Sequence, residues 1–112
     1  MTIKTMTLGL AVAVGLSACS SAAVRHEEAQ QLKSSEINTE LGLSYLQERD
    51  TERALIKLTR AIEQNPENAK AHAAIAMAYD NLDRQTRART HYARAVELDP
   101  MNSYARNAYG AY

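Results

Sequence analysis

Tryptophan and phenylalanine are absent from this chain of 112 residues, so six tyrosines must supply its aromatic packing. A single cysteine, Cys19, excludes an internal disulfide. Neither sign of charge prevails: 13 basic and 13 acidic side chains are interspersed, without the clustered basic face that nucleic-acid binding requires. The longest apolar run near the start, Leu8 to Leu16, is too short to span a bilayer, which takes roughly 20 helical residues. No nucleophile elbow, phosphate-cradling glycine loop or zinc-ligand spacing occurs. Catalysis, a cofactor, a metal and a small-molecule substrate are therefore not expected. The length suits one small domain.

Proline and glycine are scarce, and their placement is the strongest signal. Both prolines, and both glycines beyond residue 20, fall on a grid of 34 residues. Tyr45 returns as Tyr79, Ala54 as Ala88, Ala61 as Ala95 and Pro66 as Pro100. Leu41-Gly42 returns as Ile75-Ala76 and again as Tyr109-Gly110. A fixed period of this length marks a stack of like supersecondary units, and such stacks build binding surfaces.

Within each unit the apolar spacing is helical. Ile37, Leu41 and Tyr45, with Leu43 and Leu46, predict an amphipathic helix over 35–48. Asp50 or Thr51 is placed to cap a second helix whose apolar face is Ala54, Leu55, Leu58, Ala61 and Ile62. Asn65-Pro66 ends it, because a residue before proline avoids the helical region. The cycle repeats as helices over 69–82 and 85–98, ended by Asp99-Pro100, and a further helix starts near Ser103.

These residues resemble the tetratricopeptide repeat, a pair of antiparallel helices with small residues where they approach. Counting from Ser35, Leu41, Gly42, Tyr45, Ala54, Leu58, Ala61 and Pro66 occupy places 7, 8, 11, 20, 24, 27 and 32 of the unit. Counting from Ala69, the residues Ile75, Ala76, Tyr79, Ala88, Tyr92, Ala95 and Pro100 occupy the same places. Asn38 and His72 stand where the family commonly has an aromatic residue. The resemblance implies an all-α fold of helical hairpins stacked as a short right-handed solenoid. The units are 35–68, 69–102 and the start of a third over 103–112, which reads as the front of a longer protein.

The N-terminus has the three-part pattern of a secretory signal, with Lys4 ahead of the apolar run and small residues after it. Leu16-Ser17-Ala18-Cys19 resembles a bacterial lipobox. That resemblance implies a signal peptide over 1–18, cleavage before Cys19, and acyl chains, palmitate among them, on the new terminus. Several chains on one residue would hold a protein at a membrane without a spanning helix. Ser20 in place of Asp implies the outer membrane, facing the periplasm. Residues 19–34 are polar and small, and are expected to form a flexible tether with room for helix towards its end.

Lipobox, short tether and the stretches ELGLSYLQERDTERALIKLTRAIEQNP and ARTHYARAVELDPMNSYARNAYGAY together resemble the type IV pilus biogenesis and stability lipoproteins, the pilotins of pilus secretins. The resemblance implies that secretin subunits are the partner and that the protein localises them and promotes their multimerisation. A general periplasmic scaffold, docking peptidoglycan enzymes or outer-membrane assembly factors, shares the lipid and the repeats. An enzyme with its catalytic domain beyond Tyr112 is a third reading.

The candidate partner groove follows from the first helices of the repeats: Leu43, Leu46 and Gln47, then Met77, Asp80 and Asn81. Leu43, Leu46 and Met77 are apolar where a solvated groove would be polar, so they either receive a peptide or helix or fill gaps between units. His26, His72 and His91 share no metal-ligand spacing, and His72 is expected to pack. Arg84, Arg87 and Arg89 read first as a solvated basic face and second as a contact for an acidic partner.

Overall fold

A computed structural model describes residues 10–111, with side chains from Ser20 onward. The side chain of Cys19 and most of the expected signal peptide therefore lie outside the described residues. The chain divides into two compact units, residues 1–30 and 31–112. The first helix is α1 (Leu10–Gln47).

In the first unit every side chain from Ser20 to Gln30 is exposed. Neighbours one turn apart pair along the helix surface: Arg25 Nε donates to the Ser21 carbonyl at 3.3 Å, and Gln30 Nε2 meets His26 Nε2 at 3.2 Å. The flexible tether expected over 19–34 is thus a helix. Its composition explains this: Ala, Glu, Gln, Leu and Lys are strong helix formers, and no glycine or proline interrupts residues 16–41. Among the described residues no helix is long and apolar enough to cross a membrane.

The second unit consists of the end of α1 followed by α2 (Thr51–Gln64), α3 (Ala69–Asn81), α4 (Gln85–Leu98) and α5 (Ser103–Gly110). The ends repeat with the sequence. Asn68 and Asn102 cap α3 and α5, accepting the Ala71 and Ala105 amides at 3.0 Å. Asn65 and Asp99, each before a proline, leave the helical region with φ of −144° and −140°. Arg49 and Asp83 turn α1 into α2 and α3 into α4 through the left-handed region, at φ 63° and 55°. The next amides, of Asp50 and Arg84, then donate back to the Tyr45 and Tyr79 carbonyls, both at 2.9 Å. Even the surface ion pairs Arg60–Glu63 and Arg94–Glu97 recur at the same places.

Small residues bring the helices close, as the repeat requires. Ala54, Leu58, Ala74 and Ile75 form one buried cluster between the first and second repeats. Ala73, Ala76, Ala88, Tyr92, Ala95 and Ala105 form a second, within the α3–α4 hairpin and against α5. Tyr79 packs against both. Gly42 faces Leu58 so closely that an added Cβ would lie 2.5 Å from Leu58 Cδ2.

The first repeat also holds a buried polar network. Ser35 Oγ donates to the Ala61 carbonyl at 2.7 Å, and Thr39 Oγ1 donates to the Ser35 carbonyl at 2.7 Å. The Asn68 amide donates to both hydroxyls, at 2.9 and 3.1 Å. No buried side-chain polar atom among the described residues lacks a partner, so the network escapes the 1–3 kcal/mol or so that an orphaned group costs.

The expected apolar face of the end of α1 needs correction. Ile37 and Leu41 are 52% and 43% exposed, while Ser35, Thr39 and Gly42 are the buried residues. The physical reason lies in position along the stack. One unit later Ala71 and Ile75 occupy the same places and are 0% and 2% exposed. They are covered because the first repeat stands in front of them.

Candidate functional site

The candidate groove residues do not behave alike. Leu46, Gln47 and Asn81 line one recess together with Arg49 and Thr51. Gln47 and Asn81 are exposed there and Leu46 is half-buried. This recess sets the half-buried Leu46 among amide and guanidinium donors, suited to a peptide that offers carbonyls or carboxylates beside an apolar side chain. Leu43 and Leu46 are half-buried against the first core cluster, and Met77 against the second. These three therefore serve the core with part of their surface and the groove with the rest.

Asp80 has a structural task as well. Tyr92, buried in the second cluster, donates its hydroxyl to Asp80 Oδ2 at 3.1 Å. Burial, with the neighbouring Tyr104 and Asp80, pushes the Tyr92 hydroxyl well above the usual tyrosine range, so it remains a donor. The carboxylate is thereby held at the groove edge by the core behind it.

A second recess lies at the front of the stack and was not legible as a site. Glu36, Ile37, Glu40, Leu41 and Ser44 of α1 line it with Asn68 and Lys70. Lys70 Nζ pairs with Glu40 across the two helices. The signal that could have revealed it is the comparison of units: Ile37 and Leu41 keep the character of the buried Ala71 and Ile75 with no unit ahead of them.

The structure places His72 and His91 in contact, which their spacing of 19 did not suggest. Their Nδ1 atoms are 3.1 Å apart, and His72 Nε2 lies 2.9 Å from the Pro66 carbonyl. His72 is buried, as expected of a packing residue. His26 is apart from them on the exposed part of α1. Among the described residues no three metal-ligating side chains converge. Arg87 lies over the Tyr79 ring, its carbon 5.6 Å from the centroid, so part of the basic patch is engaged in cation–π contact.

The repeat register, the small residues at the helix crossings and the paired caps define a tetratricopeptide-repeat protein. The tetratricopeptide-repeat family model matches residues 45–112, and the chain belongs to that family. Over its whole length it is similar to the type IV pilus assembly protein PilF of Pseudomonas aeruginosa, with 33% identity. The chain spans 45% of that relative's length. A solved structure from a functional characterisation of Pseudomonas aeruginosa PilF matches 73% of the chain, and 37% of its own, at a TM-score of 0.68 and 33% identity.

Proposed function

We propose that this protein acts in type IV pilus assembly as an outer-membrane lipoprotein that localises pilus secretin subunits and promotes their multimerisation. The observation that carries this reading is the similarity to PilF, which extends over 100% of the chain and so includes the lipobox-like Leu16–Cys19 segment as well as the repeats. A repeat stack alone would support only a protein-binding role.

The mechanism is concentration and orientation. Acyl chains on Cys19 hold the protein at the periplasmic face of the outer membrane. The groove edge at Leu46, Gln47, Met77, Asp80 and Asn81, with Leu43 behind it, engages the secretin subunit. Tethering one partner raises its effective concentration for the next without any new contact.

The test compares SDS-resistant secretin multimer in outer-membrane fractions of cells with the native protein, without it, and with Cys19→Ala. Loss of multimer without the protein, and mislocalised secretin with Cys19→Ala, is expected. Unchanged multimer in all three would overturn the reading and favour a general periplasmic scaffold.

A further inference from the structure

We propose that the His72–His91 contact is a proton-operated clasp on the α3–α4 hairpin, closed with up to one proton on the pair and opened by a second. The argument rests on which nitrogen carries which hydrogen. The Pro66 carbonyl can only accept, so His72 Nε2, 2.9 Å away, must carry its hydrogen. The Nδ1 of a neutral His72 is then a bare lone pair. His91 Nδ1, 3.1 Å from it, must be the donor. The ring centroids are 5.4 Å apart with a 26° interplanar angle. At that separation both Nδ1 atoms lie close to the line between ring centres, so the N–H···N bond is nearly straight.

One proton leaves this arrangement intact. It enters at His91 Nε2, which neither hydrogen bond uses, and the resulting cation still donates to His72. A second proton has only His72 Nδ1 to occupy. Two N–H groups then face each other across 3.1 Å with no acceptor between them, and two cations adjoin. The contact must open.

The surroundings do not rescue the doubly charged state. From α3, Tyr79 stacks on His91 at 5.8 Å. From α4, the Arg87 guanidinium lies over that same tyrosine and adds positive charge nearby. From the loop before α3, the Pro66 carbonyl faces His72. Among the described residues Tyr104, Arg106 and Tyr109 of α5 make no hydrogen bond, ring contact or ion pair with either imidazole. Burial, and then the neighbouring His72, hold His91 below its ordinary value of 6.5.

The sign follows. Below about pH 6.5 each unfolded imidazole binds its own proton, whereas the closed pair has room for only one, so unfolding takes up the second. Stability from this site is full above that pH and is lost as pH falls and the pair is driven to its second proton. Opening acts where it matters mechanically, since Tyr79, stacked on His91, packs against both core clusters. The joint between the first and second repeats therefore slackens in acid.

The test is thermal unfolding of the full chain from about pH 7.5 to about pH 5, for the native protein, His72→Gln, His91→Gln and the control His26→Gln. A glutamine at 72 can still donate to Pro66 and accept from His91, but it does not titrate. The native midpoint should fall by at least about 4 °C more than that of His72→Gln or His91→Gln. The His26→Gln curve should follow the native one. Parallel curves for all four would overturn the clasp. Nitrogen NMR of the native protein decides the matter even if a variant fails to fold. Nε2–H on His72, Nδ1–H on His91 and two coupled titration steps are expected. Independent single-step titrations, or Nε2–H alone on His91, would refute it.

Discussion

Gly42 of α1 lies directly against Leu58 of α2, with no room between them for a methyl group. One unit later the corresponding pair is Ala76 and Tyr92, both buried in the second cluster. The same crossing is thus solved twice, by glycine against a branched aliphatic chain and by alanine against a ring. Gly42→Ala should destabilise the fold by about 1–3 kcal/mol through overpacking. The measurement is chemical denaturation of Gly42→Ala, Leu58→Ala and the double variant. Leu58→Ala opens the space the new methyl needs, so the double variant should be more stable than the sum of the singles implies. Strict additivity would show that the two residues do not constrain each other.

The second helices of the two repeats start unequally. Asp50 accepts the Arg53 amide at 3.1 Å, whereas Arg84 at the same place makes no side-chain cap bond. Their backbones agree, with φ and ψ of −93° and 75° against −99° and 69°. Arg84→Asp should therefore add the missing cap, and a negative charge at the positive end of α4, raising stability by about 1 kcal/mol. A lower urea midpoint would mean that the Arg84 guanidinium holds the hairpin together in some stronger way.

Arg49 and Asp83 both sit in the left-handed region, where a Cβ is crowded by the following carbonyl. Arg49→Gly and Asp83→Gly should each stabilise by up to about 1 kcal/mol, because the strain outweighs the added freedom of the unfolded chain. Differential scanning calorimetry should show both midpoints rising. A fall at either position would place the energetic weight on the lost side chain.

Leu41 and Ile75 occupy one place in successive units, yet one is 43% exposed and the other 2%. Ile75→Ala should cost about 2–5 kcal/mol and Leu41→Ala less than about 1 kcal/mol. Equal costs in the isolated protein would show that the front of the stack is covered in solution.

That contrast also explains how far sequence reasoning reaches here. The end of α1 and the limits of the later helices were legible because caps, left-handed turns and prolines are local devices, and each recurs at a fixed place. The burial of Ile37 and Leu41 was misjudged because it depends on a unit standing ahead, which periodicity within one helix does not report. The tether was misjudged because polar composition hides good helix formers. Leu46, Gln47 and Asn81 do share a recess, since the repeat places them along one edge. The hold of Tyr92 on Asp80 and the meeting of His72 with His91 depend on how α3 lies against α4. Spacings along the chain carry no trace of such contacts.

Near-identical units can pair out of step, and the hydroxyls of Ser35 and Thr39 bear on that hazard. If the α3 sequence took the station of α1, Ala69 and Ala73 would stand where the two hydroxyls stand. The following asparagine, Asn102, would then find no hydroxyl there, so the two hydrogen bonds that Asn68 makes would not be replaced. The polar knot thus gives the first repeat a password that the second cannot supply, and a chain of interchangeable parts acquires a fixed beginning.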